Sequence, residues 1–216
     1  KIKVVLPLIR DDLWGTDLFT STRNNFLNSG GDMEDPVLYD PDAAGFTAAL
    51  SQLDANVEAQ LQQHDPNEVA VYLVSSSEGA NIMAAAKHYI HLNNIYWYGC
   101  SGMASNPRVL ADSGSTLFAY THGLPCPVYG LDDAARTKWE PLKERITALG
   151  LQPDIYAFTA YDALWVGALT YLSAGTSPGA DLFKSAFIQV SGSYFGVTGN
   201  TALDDNGDRA AGIYDF

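Results

Sequence analysis

The stretch "EVAVYLVSSSEGANIMAAAKHYIHL", residues 68–92, decides the architecture. Its first half is a short β-branched and apolar run, the pattern of a strand buried on both faces. Its second half, from Glu78, is rich in Ala, Met and Ile with no breaker, the pattern of a helix. A buried strand that runs straight into a helix is half of a βαβ unit, which brings a parallel sheet with it.

The same rhythm extends in both directions. "IKVVLPLI" (2–9) reads as a strand, followed by a helix over 16–28 that Gly30 and Gly31 close. "PVLYD" (36–40) reads as a second strand. Phe46, Leu50, Leu53, Val57 and Leu61 then fall on one face of a helix. "NIYWYGC" (94–100) reads as a fourth strand and "TLFAYTHG" (116–123) as a fifth. The expected fold class is α/β, a Rossmann-like doubly wound parallel sheet with helices on both faces. In such sheets ligands sit outside the carboxyl ends of the strands. Those ends here are Arg10–Trp14, Ser75–Glu78 and Gly99–Ala104.

After residue 123 the rhythm changes. Trp139, Leu142, Ile146 and Leu149 mark an amphipathic helix. "YAFTAYDALWVGALTYL" (156–172) is apolar nearly all round, but it is short for a membrane span and carries Asp162. It reads as a helix buried between layers. A third helix precedes a terminal segment that alternates like a hairpin around Asn206-Gly207.

Composition narrows the function. Of 216 residues 47% are apolar and 17% charged, as in ordinary globular chains. Twelve basic against 25 acidic side chains give a net charge of −13, which repels nucleic acid and anionic membrane surfaces. Cys100 and Cys126 are too few for a thiolate metal site. They suit either one disulfide or two buried thiols.

Several motifs invite chemistry and fall short of it. Starting a calcium loop at Asp204 puts Asn206 and Asp208 in place, but Arg209 stands where glycine is needed and Asp215 where glutamate is needed. Asn206-Gly207 therefore reads as a tight turn. "YGCSGM" lacks the second glycine of a nucleophile elbow around Ser101. Ser75 and Glu78 have the spacing of a capping box, which leaves Ser76 and Ser77 free to face a cleft. His88 and His91 lie three apart on one helix with no third ligand. Asp11 and Asp12 at a strand end suit a phosphoacceptor pocket of a flavodoxin-like or response-regulator-like domain, a fold with no place for the long helix after residue 123.

Five segments together resemble the extracellular solute-binding proteins of ABC transporters, of the leucine/isoleucine/valine-binding type with the type I periplasmic-binding-protein fold. They are "VVLPLIRDDLWGTDL", "DPDAAGFTAALSQL", "AVYLVSSSEGANIMAAAK", "YAFTAYDALWVGAL" and "FGVTGNTALDDNGDR". The resemblance covers the whole chain but only part of the family's length, which implies a truncated member and accounts for an opening at Lys1 without a signal peptide. It implies that residues 1–122 are the second lobe, 123–195 a segment returning toward the first lobe, and 196–216 the terminal hairpin and last crossover. Helix 156–172 would then expose apolar surface.

What the resemblance implies for function is capture of a small polar or amino-acid-like solute between two lobes, without catalysis or cofactor. The partner would be an ABC permease, the location periplasmic or extracellular with a surface anchor outside this stretch, and no part of this segment would insert into the membrane. A ligand-sensing receptor ectodomain of the same fold is the alternative. The implied ligand-binding residues are Trp14, Ser75, Ser76, Ser101 and Tyr156, with no metal site. Trp14 and Tyr156 also suit plain packing aromatics. Ser101 stands where amino-acid binders carry an acid, so a simple α-amino acid is not the expected ligand unless Glu78 or Asp11 substitutes.

Overall fold

A computed structural model of the chain describes residues 1–175 and 177–216. The chain divides into two compact units, residues 1–127 and 128–215.

The first unit is built on a parallel sheet. Strand β1 (Val4–Arg10) lies at its centre, with β4 (Val69–Val74) on one side and β5 (Tyr96–Gly99) beyond β4. Two short strands, β2 (Asp32–Met33) and β3 (Val37–Tyr39), share the other edge of β1. The register pairs Val4 with Val69 and Ile9 with Val74, and Ala70 with Tyr96. Val4, Leu6, Leu8 and Ile9 in β1 and Val69, Val71, Leu73 and Val74 in β4 are all buried, because helices cover both faces.

The covering helices are α1 (Leu13–Asn28), α2 (Thr47–Gln60), α3 (Gly79–Ala86), α4 (Pro107–Ala111) and α5 (Ser113–His122). Leu50, Leu53 and Val57 form the inner face of α2, as their spacing predicts. Trp97 is fully buried, donates its indole N–H to the Leu92 carbonyl at 2.9 Å and meets Phe118 edge-on. The fold class read from the sequence, α/β with a parallel sheet, is the one observed.

Three local expectations are corrected. Residues 116–123 lie in helix α5 and its cap, not in a fifth strand. Asp112 accepts the Ser115 N–H at 2.7 Å at the start, and Gly123 ends the helix in the left-handed region with φ 61°. Ser115, Phe118 and His122 face inward at helical spacing. The β-forming residues in this run are overruled by the caps at both ends. The capping box at Ser75 does not form, because α3 starts at Gly79 and Glu78 is held elsewhere. His88 and His91 lie beyond the end of α3 at Ala86, and the His91 ring bonds Asp54 at 3.1 Å. The Asn206-Gly207 turn is real, but only Gly207 adopts positive φ (88°). The Asp204 carboxylate fixes the turn by accepting the Asn206 and Asp208 N–H groups at 2.9 and 3.0 Å, between bridged residues Leu203 and Arg209.

The second unit contains β6 (Val128–Tyr129), α6 (Arg136–Ala148), α7 (Ile155–Ala174), α8 (Ala180–Ser193), the hairpin β7 (Phe195–Gly196) and β8 (Gly199–Asn200), and β9 (Tyr214–Asp215), which pairs with β6. Phe158, Trp139, Ala135 and Val197 form its small core. Leu164, Trp165 and Leu172 of α7 are exposed, as the resemblance implies for this helix, which corrects its reading as a helix buried between layers: only Phe158, Asp162, Val166 and Thr170 are buried. Among the described residues, no helix is long and apolar enough to cross a membrane.

Candidate ligand-binding site

The carboxyl ends of β1, β4 and β5 open at one edge of the first unit, and three chain reversals meet there. At the end of β1, Arg10 passes into Asp11 and Asp12. Asp12 caps α1 by accepting the Gly15 N–H at 2.8 Å, which stabilises a carboxylate where the helix presents free N–H groups. That hydrogen bond, joined by Arg10, holds the Asp12 carboxyl below its usual range. In the first turn of α1 sits Trp14, with 42% of its surface exposed.

Trp14 lies between two supports. The Arg10 guanidinium stands over its ring, 5.3 Å from the centroid. The loop after β5 passes close to the rim of the indole. A Cβ placed on Gly102 would fall 3.0 Å from Cη2 of Trp14 and 2.7 Å from the Ser75 carbonyl oxygen. Only glycine lets this loop come so close to both the β4 end and the indole. The loop is tied down from below by the Cys100 thiol, which donates to the Ser75 carbonyl at 3.2 Å.

An ionic cluster connects the first two reversals. Arg10 bonds Asp12 Oδ2 through Nε at 2.6 Å and Glu78 Oε1 through Nη1 at 3.0 Å. The same Glu78 oxygen accepts the Tyr39 hydroxyl at 3.1 Å and the Ser76 N–H at 3.1 Å. Burial works against the charge on Arg10, but the bond to Asp12 and the charges of Glu78 and Asp12 outweigh it and raise its pKa. Burial, reinforced by the Glu78 carboxylate, raises the Tyr39 hydroxyl.

The expected site residues thus divide. Trp14, Ser75, Ser76 and Ser101 come together at this edge. Trp14 and Ser101 are exposed and Ser76 is half-buried. Ser75 is fully buried, and its hydroxyl finds no hydrogen-bond partner. It points under α3, where a Cβ on Gly79 would lie 2.9 Å from Ser75 Oγ. Ser75 therefore meets the edge through its backbone. Tyr156 belongs to the second unit, in the first turn of α7, with 56% of its surface exposed. Sequence reading passed over Arg10, Tyr39 and Gly102. Arg10 had one signal: a cation closing an otherwise apolar strand at a carboxyl end.

Both cysteines are free thiols. Burial raises Cys100, and burial with the neighbouring Cys100 pushes Cys126 up to about 11. With a pKa near 11 only about 0.1% of the thiol is ionised at pH 8. Native protein is therefore expected to react slowly with iodoacetamide at pH 8, and faster as the pH rises toward 10. Both thiols should label at once in denaturant. Rapid labelling of Cys126 in the native protein at pH 8 would contradict this environment.

No family model matches the chain. An uncharacterised protein of Methanocaldococcus jannaschii is 26% identical over 226 aligned positions, covering 99% of this chain and 52% of that protein. Among solved structures, a leucine-binding protein of Thermotoga maritima is similar with a TM-score of 0.65 at 18% identity, over 99% of this chain and 60% of its own. An ABC transporter substrate-binding protein of Desulfitobacterium hafniense gives 0.68 at 16%, over 99% and 56%. An extracellular ligand-binding receptor of Rhodopseudomonas palustris gives 0.65 at 16%, over 98% and 60%.

The chain therefore has the fold of the ABC transporter substrate-binding proteins and related extracellular ligand-binding receptors. It spans about half the length of the archaeal relative and 56–60% of those three structures.

Proposed function

We propose that this chain is the solute-capturing part of an extracellular binding protein that serves an ABC importer. The observation that carries the reading is the half-exposed Trp14 ring, held between Arg10 and the Gly102 loop at the carboxyl edge of a parallel sheet. An aromatic wall with hydroxyls and backbone groups beside it is what a small-molecule site requires. Trp14 supplies the apolar face, while Ser76, Ser101 and the Ser75 backbone supply polar contacts. Tyr156 is the further ligand contact that the resemblance implies.

In this reading residues 1–122 form one lobe, 123–195 return toward the other, and 196–216 complete the last crossover. Binding closes the lobes on the solute, no bond is made or broken, and a membrane permease receives the cargo. The site of action is periplasmic or extracellular. The fold of the Rhodopseudomonas receptor supports a second reading, a ligand-sensing ectodomain. A signalling domain in the same gene product, with no permease gene beside it, would favour that reading.

A thermal-shift screen of the whole gene product against amino acids, hydroxy acids, amides and polyamines tests capture directly. A bound solute at a hundred times its Kd stabilises by about 2.7 kcal/mol, or roughly 5–10 °C for a domain of this size. Trp14→Ala is expected to weaken that solute by about 2 kcal/mol, roughly thirtyfold in Kd by calorimetry. Unchanged affinity in Trp14→Ala would remove the site from this edge.

A further inference from the structure

The two partly buried carboxylates at the ligand edge, Asp12 and Glu78, are already paired with a cation of the protein's own. An ammonium or guanidinium group on a solute needs an anionic acceptor, since a serine hydroxyl leaves a buried cation uncompensated. Five carboxylates lie on the loops at this edge: Asp11, Asp12, Glu78, Asp40 and Asp42. Glu78 receives Arg10, the Tyr39 hydroxyl and the Ser76 N–H on one oxygen. Asp12 receives Arg10 on one oxygen and the Gly15 N–H on the other. The N-terminus of α1 adds about half a positive charge beside Asp12, so the Arg10–Asp12–Glu78 cluster keeps only about half a negative charge. Asp11, Asp40 and Asp42 are exposed, where water screens a pairing until it contributes little.

Arg10 is also the member that touches Trp14. One guanidinium thus sets both the charge of the edge and the position of its aromatic wall.

We propose that Arg10 is the specificity-determining residue of this site: by holding the Asp12 and Glu78 carboxylates it denies them to a cationic group on a solute and restricts the site to solutes that carry no such group there. The idea rests on the solute-binding reading above and deepens it. Hydroxy acids and amides fit such an edge, because their hydroxyl or amide groups need hydrogen bonds from Ser76 and Ser101 and no counter-charge.

A matched pair of probes isolates the feature. L-leucine and the corresponding 2-hydroxy acid differ only in ammonium against hydroxyl. Calorimetry on the whole gene product should show the hydroxy acid bound at least tenfold more tightly than leucine. Arg10→Met keeps an unbranched stem beside Trp14 and removes the charge. In that variant the preference should shift toward leucine by at least tenfold, and Arg10→Met with Glu78→Gln should abolish the shift. Asp11→Asn should leave the preference unchanged.

A second measurement needs no solute. Arg10→Ala should be stabilised by methylguanidinium chloride beyond an equal concentration of sodium chloride, and the wild type should not.

The outcomes separate the two ideas. Leucine preferred by the wild type, or an unchanged preference in Arg10→Met, overturns the role of Arg10 and leaves solute capture standing. If no solute of any class binds the wild type, the capture reading fails and the specificity role fails with it. If Arg10→Met does not fold, the second measurement still reports: no methylguanidinium stabilisation of Arg10→Ala beyond that of sodium chloride overturns the proposal.

Discussion

Asp162→Ala is expected to destabilise the second unit by about 4 kcal/mol, the largest effect of any single substitution there. Asp162 is buried, with only 2% of its surface exposed, in the middle of an apolar helix. It closes the β7–β8 hairpin on that helix. Its carboxylate accepts the Val197 N–H at 2.8 Å, the Thr198 N–H at 2.8 Å and the Thr198 hydroxyl at 2.5 Å. Arg209 extends the chain of bonds by donating to Thr198 Oγ1 at 2.7 Å. Gly196 is required against the same carboxylate, because a Cβ there would collide with it.

Removing the carboxylate leaves donors buried without acceptors, and hydrogen bonds to a charged group contribute about 1.5–3 kcal/mol each. Asp162→Asn keeps one acceptor but turns an amide N–H₂ toward another donor, so it should cost about half as much. Urea unfolding of the two variants checks the order. A melting temperature within about 2 °C of wild type for Asp162→Ala would contradict the clamp, since 4 kcal/mol corresponds to roughly 8–16 °C.

Asp162 also shows why part of the fold was illegible in the sequence. Strands β1 and β4 announce themselves, because residues buried on both faces must be apolar without interruption. Helix α2 does so through its spacing of Leu50, Leu53 and Val57. The hairpin at 195–200 carries no such local mark. Its bonds come from a residue 35 positions earlier, seen in the sequence only as a charge that spoils a membrane span.

The site shows the same split. Its location followed from topology, since strand carboxyl ends are where ligands bind in such sheets. Trp14 was legible as a large aromatic one turn beyond a strand. The Arg10–Glu78 bond joins residues 68 apart, and neither residue's pattern implies the other. Helix α5 failed for a different reason. Its run of Thr, Phe and Tyr suits a strand, and the deciding information lay in Asp112 and Gly123 at its ends.

Gly15→Ala is expected to damage both stability and binding, although it adds a single methyl group and alanine favours helices. Gly15 is buried in the first turn of α1, where the helix returns across the end of β1. A Cβ there would collide with the Arg10 carbonyl oxygen and stand 2.7 Å from Arg10 Cγ. The carbonyl belongs to the sheet and cannot rotate away, so α1 must lift. Lifting it stretches the bond from Gly15 N–H to Asp12, loosens the hold of Asp12 on Arg10, and moves Trp14 off the guanidinium. Overpacking of this kind costs about 3 kcal/mol. The loss of Trp14 positioning should weaken any captured solute at least as much as Trp14→Ala does. Gly192→Ala in α8 is the matched control. Nothing lies within 4 Å of its added Cβ, so it should stabilise by about 0.5–1 kcal/mol through helix propensity alone. If the two glycine variants melt at the same temperature, the close approach of α1 to Arg10 is not what fixes this edge.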